Sequence, residues 1–170
     1  MIGKWHLGYL QKHHPMNFGF QKFVGFKSGN VDYQSHRNRY GDVDWWDGLE
    51  MKNMPGYTTT LLTTLSEDYI KENKDKPFCL YIAHAAPHSP MQGPNEKAIR
   101  TEATLEGDKN SDRPNKEIYK DMVEELDWSV GRILETLKKY KLDKNTFVVF
   151  FSDNGPVINN GGSTGGYRGA

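Results

Sequence analysis

Thr146-Phe147-Val148-Val149-Phe150-Phe151 runs directly into Ser152-Asp153-Asn154-Gly155, and Phe78-Cys79-Leu80-Tyr81-Ile82-Ala83 runs likewise into His84-Ala85-Ala86-Pro87-His88-Ser89-Pro90. Each stretch couples an unbroken apolar run of strand length to a polar loop. Continuous hydrophobicity, without alternation, predicts strands buried on both faces, as in a parallel sheet. A helical pattern precedes each run. From Thr58 to about Asn73, Leu61, Leu62, Leu65, Tyr69 and Ile70 recur at three- and four-residue spacing. From about Asn115 to Tyr140, Ile118, Met122, Leu126, Val130, Ile133, Leu134 and Leu137 form one stripe among Glu and Lys. The order helix, strand, loop, helix, strand predicts a layered α/β architecture, a mostly parallel sheet flanked by helices.

The rest of the chain is less regular. Residues 1–57 are rich in Gly, His, Asn and aromatics; Gly29 to Tyr33 reads as loop, and Phe23 to Phe26 as a short strand. Residues 92–115 are polar and read as an exposed connection. Asp143-Lys144-Asn145 makes a turn, and the Gly-rich tail from Gly161 to Gly169 is expected to move unless something pins it. Two plain strands would leave a sheet with open edges and half-covered faces. The expectation is therefore one domain over residues 1–170, incomplete and truncated at both ends.

Composition narrows the function. The 22 basic and 22 acidic side chains cancel, so no net field draws the chain to nucleic acid or an anionic membrane. The apolar runs are too short to span a bilayer, and Met1-Ile2-Gly3-Lys4-Trp5 opens no secretory signal. Cys79 is the single cysteine; it cannot form an internal disulfide and reads as a small buried hydrophobe.

In open α/β sheets, ligands gather where strands end at their carboxyl side. Asp153 and Asn154 there offer hard oxygen donors suited to calcium or magnesium, although Asp-Asn-Gly by itself reads first as a tight turn. His84 and His88 are four apart, but Pro87 and Pro90 exclude a shared helix, so a zinc pair is a poor reading. One of them on a loop suits proton or hydrogen-bond donation, and for His84 a locally satisfied ring is the plainer reading. Lys4 and His6, two apart in an extended segment, would face the same side and suit a tetrahedral oxyanion. Gly161-Gly162-Ser163-Thr164-Gly165-Gly166 lacks the ending of a phosphate-binding loop, and Arg168 reads as structural. Trp45, Trp46 and Tyr57 suit sugar stacking, with burial the plainer reading.

Taken in order, Gly3-Lys4-Trp5-His6-Leu7-Gly8, then Pro77 to Tyr81 leading to Pro87-His88-Ser89-Pro90, then Leu126-Asp127 through Gly131-Arg132-Ile133-Leu134, then Ser152-Asp153-Asn154-Gly155 and Gly166-Tyr167-Arg168-Gly169-Ala170, resemble the formylglycine-dependent sulfatases. These are the arylsulfatase-like branch of the alkaline phosphatase superfamily. The resemblance implies a partial alkaline-phosphatase-like fold and a sulfuric ester hydrolase acting on aryl or sugar sulfates. It gives Lys4 the role of the lysine that contacts sulfate and nucleophile. His6 becomes the histidine near the formylglycine hydroxyl, and His88 the one that hydrogen-bonds the sulfate or leaving oxygen. Asp153 and Asn154 become two calcium ligands. It also implies a secreted, periplasmic or lysosomal parent protein.

The Cys/Ser-x-Pro-x-Arg segment that carries formylglycine is absent, and Cys79, followed by Leu80-Tyr81, does not replace it. The early aspartate pair of the calcium site is absent too, and a further lysine would fall beyond Ala170. The chain alone is therefore expected to be inactive, with no nucleophile and an incomplete Ca2+ site. A phosphoester hydrolase of the same superfamily, or a non-catalytic anion-binding remnant, stays open at this stage.

Overall fold

The computed structural model describes residues 1–102 and 112–168. Five short strands form one sheet: β1 (Ile2–Lys4), β2 (Val24–Phe26), β3 (Trp46–Asp47), β4 (Glu50–Met51) and β5 (Ile82–Ala83), in the order β4-β3-β2-β1-β5. β1 lies between β2 and β5 and runs parallel to both, with Gly3 opposite Gly25 and Ala83. β3 and β4 add an antiparallel hairpin beside β2. The sheet is thus mixed, with its parallel strands on the β1 side.

Two helices complete the layers. α1 (Thr58–Asn73) and α2 (Asn115–Lys139) fall where the apolar spacing put them. Glu117 in the first turn of α2 and Lys138 and Lys139 in its last suit the helix dipole. The helices meet through side-chain hydrogen bonds, Thr63 Oγ1 to Ser129 Oγ (2.6 Å) and Thr60 Oγ1 to Glu125 Oε1 (2.8 Å), and through the Arg132–Glu67 ion pair (2.8 Å). The core gathers Ile2, Phe26, Val31, Tyr33, Trp45, Leu62, Ile118 and Met122. Leu62 and Ile70 of α1 and Ile118, Met122 and Leu137 of α2 are buried, whereas Leu134 is exposed.

Both apolar runs depart from expectation. Only Ile82 and Ala83 of the first run enter the sheet, and Phe78 to Tyr81 are half-buried or exposed. Cys79 is exposed, not buried. Among the described residues, Phe147 to Phe151 form no strand and stand in solvent, Phe147 at 92% exposure. The physical reason is pairing. β5 is hydrogen-bonded on its β1 side only, and a run this apolar is buried only with a strand on each flank. Instead Leu80, Ile82, Val130, Ile133, Phe147 and Phe151 line a cleft of about 790 Å³ between β5, α2 and the 146–151 segment.

The Gly-rich tail is partly anchored. A turn at Ile158–Asn160 packs on α2, Asn115 Nδ2 donates to Asn160 Oδ1 (3.4 Å), and Asn160 Nδ2 reaches Met91 Sδ (3.6 Å). Gly169 and Ala170, the last of the motif beginning at Gly166, and residues 103–111 of the 92–115 connection lie outside the described residues.

Candidate functional site

β1, β2 and β5 run parallel, so their carboxyl ends open on one side of the sheet. Lys4 closes β1. Past it the backbone stays beside β2 through Trp5 N to Phe26 O (2.9 Å) and His6 N to Lys27 O (3.2 Å). His6 then adopts φ 57, a left-handed conformation that costs a non-glycine residue about 1–2 kcal/mol. The extended geometry expected for Lys4 and His6 is therefore broken at His6. The strand stops at Lys4, and the left-handed backbone of His6 departs from strand alternation. The His6 ring rests on Gly29, where an added Cβ would lie 2.5 Å from Nε2.

The Gly29 side of the pocket is fixed from below. Asp44, buried, accepts from the backbone N–H of Lys27 (3.1 Å) and Ser28 (2.7 Å) and from Trp46 Nε1 (2.7 Å). Lys27, also buried, sends Nζ to Tyr9 O (3.3 Å) and over the Trp46 ring (3.4 Å). Burial lowers its pKa and Asp44 opposes that shift. Trp45 and Tyr57 are core side chains and Trp46 is covered by Lys27, so burial accounts for these aromatics.

His88 arrives from β5 by a tight turn, with its N–H on Ala85 O (2.9 Å) and the Tyr33 hydroxyl donating to its carbonyl (2.9 Å). Its Nδ1 lies 2.8 Å from Ser89 O. A carbonyl only accepts, so in the neutral ring the proton sits on Nδ1 and Nε2 keeps a lone pair. The imidazolium form donates from Nε2 as well.

Electrostatics tie these groups into one neighbourhood. Burial lowers the Lys4 pKa, and the carboxylate of Asp153 pushes it back up. His6 is lowered first by burial, then by the positive charges of Lys4, His88 and Arg39. Lys4 thus feels the charge of Asp153, and His6 feels those of Lys4 and His88. Asp153 and Asn154 are both exposed. No group of three His, Cys, Asp or Glu side chains among the described residues is arranged to hold a metal. Among the described residues, Asp153 and Asn154 alone fall short of the roughly six to eight oxygens calcium takes.

His84 stands apart. Its Nε2 meets Ser129 Oγ (3.3 Å), beneath α2, while its buried Nδ1 has no partner among the described residues. Local satisfaction, the plainer reading, is half met. Burial drives its pKa from 6.5 to about 4, so the folded ring is neutral at pH 7. Below pH 6.5 the unfolded chain takes up a proton that the folded chain refuses. Stability should therefore fall as pH drops from about 6.5 to about 4, by about 3 kcal/mol from this ring. Urea unfolding midpoints across that range check this: His84→Gln should flatten the decline relative to the parent chain.

Parallel strands flanked by helices define an α/β protein, with Lys4 and His6 following β1 and His88 following β5. The Sulfatase family profile matches residues 1–169. The N-acetylgalactosamine-6-sulfatase of Canis lupus familiaris is 32% identical over 182 residues, covering 97% of this chain and 32% of that protein. Arylsulfatase J of Mus musculus is 31% identical, covering 100% of this chain and 29% of its own length. Among solved structures, Ps i-CgsB in complex with k-i-k-neocarrahexaose superposes with a TM-score of 0.79 at 26% identity, covering 99% of this chain and 40% of that one. The chain belongs to the sulfatase family. Its fold is part of the alkaline-phosphatase-like α/β fold, and it spans about a third of the length of these curated relatives.

Arg39, whose charge also lowers the His6 pKa, is not legible as a neighbour of His6 in the sequence. No local pattern links Arg39 to a histidine 33 positions earlier.

Proposed function

We propose that this chain is part of a sulfatase domain that cleaves sulfate esters, aryl or carbohydrate, and that it supplies the cationic side of the sulfate pocket. One observation carries the reading: beyond the carboxyl end of β1, Lys4 lies in the field of Asp153 and His6 in the fields of Lys4 and His88. In this reading the Lys4 ammonium and a His88 ring nitrogen contact sulfate oxygens, whose charge grows as the ester bond breaks. His6, whose pKa is lowered by partial desolvation and then by adjacent positive charge, takes a proton at its ring nitrogen and returns it. The ester oxygen leaves as an alcohol.

The attacking oxygen would come from a formylglycine carried by a Cys/Ser-x-Pro-x-Arg segment that is not among residues 1–170. A carboxylate beside Lys4 repels sulfate unless a cation covers it. That supports Asp153 and Asn154 as two ligands of a Ca2+ site completed by carboxylates from elsewhere. The substrate class fits the relatives, one named for N-acetylgalactosamine-6-sulfate and one solved with a neocarrahexaose. A secreted, periplasmic or lysosomal setting belongs to the same reading; no helix of the described residues is long and apolar enough to cross a membrane.

Hydrolysis of 4-nitrophenyl sulfate tests the proposal. Residues 1–170 alone should release no nitrophenol, and a polypeptide extended to carry the formylglycine segment should turn it over. Turnover by the 170-residue chain would contradict the first part, and an inert extended protein bearing formylglycine would contradict the second.

A further inference from the structure

The His6 side chain is exposed, yet its backbone is fixed. Its N–H donates to Lys27 O (3.2 Å), and φ 57 holds it in the left-handed region. With the backbone set, only the side-chain torsions decide where the ring lies. What meets the ring is Gly29. A Cβ added at Gly29 would lie 2.5 Å from His6 Nε2, 2.7 Å from Cε1 and 3.0 Å from Cδ2. A point in line with the Nε2 lone pair would be much farther from both carbons than from Nε2. Near-equal distances place the added Cβ over the face of the ring instead. The imidazole therefore rests its face on the Gly29 backbone, and a face contact leaves the in-plane directions of both ring nitrogens clear of Gly29.

No backbone requirement calls for glycine there. Gly3 and Gly25 have φ 113 and 148, whereas Gly29 has no φ in that region, so an alanine would adopt its conformation without strain. The three nearest atoms that an added Cβ would meet all belong to His6. The turn that carries Gly29 is tied on both sides. Asp44 accepts from the N–H of Lys27 and of Ser28, Ser28 Oγ donates to Asn30 O (2.8 Å), and Arg100 Nη1 donates to Asn30 Oδ1 (3.0 Å). Lys27, Ser28 and Asp44 are buried. The turn is braced against receding, whereas an exposed ring can swing away. An added methyl would thus cost the fold little and the ring its place.

We propose that Gly29 is a positioning residue for His6: its bare backbone, braced through Asp44 and Arg100, seats the imidazole face and sets the direction in which the ring exchanges its proton. The positioning role rests on the reading that His6 handles a proton in ester cleavage; the seat itself does not.

Two measurements on Gly29→Ala test it. In the 170-residue chain, nuclear magnetic resonance should find the parent's Gly29 α-protons shifted upfield by the imidazole ring current and in cross-relaxation with the His6 ring protons. In Gly29→Ala the His6 ring signals should move, those of His84 and His88 should stay, and the urea midpoint should match the parent's. In the polypeptide extended to carry formylglycine, Gly29→Ala should lower kcat for 4-nitrophenyl sulfate about a hundredfold with KM nearly unchanged. That is the scale of loss for a reacting group misplaced by about 1 Å. An unmoved His6 ring in Gly29→Ala overturns the seat. A variant without an unfolding transition overturns it too, because Gly29 is then a requirement of the fold. A displaced ring with kcat intact keeps the seat but overturns the positioning role, because His6 then moves no proton in the reaction.

Discussion

Gly3→Val is expected to leave the chain without a cooperative unfolding transition. Gly3 sits in β1, paired to β2 on one side and β5 on the other, with φ 113. A Cβ there would stand 2.1 Å from the carbonyl oxygen of Ala83, inside the backbone of the next strand. Backbone cannot move aside as a side chain can, so β1 and β5 must separate, and with them the ends that carry Lys4 and His88. The strained φ alone costs about 1–3 kcal/mol. Losing the β1 pairing adds the rest, against a total stability of about 5–15 kcal/mol for a domain. Gly19→Ala separates the two causes. Gly19 has a comparable φ of 95 but nothing within 4 Å of the added Cβ, so it should cost only about 1 kcal/mol. Circular dichroism through a urea series would show a flat line for Gly3→Val and a displaced but intact transition for Gly19→Ala.

The second large effect is expected from Asp32→Ala. The Asp32 carboxylate is buried and accepts five hydrogen bonds. Gln34 N (2.9 Å) and Ser35 N (2.8 Å) reach Oδ1, and Ile99 N (2.7 Å), Arg100 N (2.9 Å) and Gln92 Nε2 (3.2 Å) reach Oδ2. It therefore ties the loop after β2 to residues 92–100. The adjacent Tyr33 accepts nothing at its N–H but donates it to Gln92 Oε1 (2.8 Å), and its hydroxyl donates to the His88 carbonyl. Removing the carboxylate takes an acceptor from four backbone donors and from the Gln92 amide, which keeps Lys97 O (2.8 Å). Each buried group left unpaired costs about 1–3 kcal/mol, less where water enters, so a loss of about 3–5 kcal/mol is expected. Faster amide hydrogen exchange at Ile99 and Arg100, together with broadened His88 ring signals, would check it. A stable variant with an unmoved His88 would show that this hub does not hold the site.

Much of the scaffold is readable because helices advertise themselves. Leu61, Leu62, Leu65, Tyr69 and Ile70 need only their own spacing to mark α1, and the longer stripe marks α2. Strands do not follow as directly, since a strand is defined by its neighbour. Phe147 to Phe151 are apolar enough for a sheet interior, yet with β5 paired on one side only they line a cleft instead. β1 is hidden for the opposite reason: three residues, one of them glycine, carry no period to detect. At the site, Lys4, His6, His88, Asp153 and Asn154 stand out from local motifs and their order.

A single pocket, in which Lys4, His6, His88 and Asp153 meet one tetrahedral anion, is the central claim. Nuclear magnetic resonance of the histidine rings during titration with inorganic sulfate, with and without Ca2+, tests it most directly. The His6 and His88 signals should shift together along one saturating curve, calcium should tighten it, and Lys4→Ala should abolish it. Histidine signals that stay still, or that move independently and regardless of Lys4, would contradict the claim.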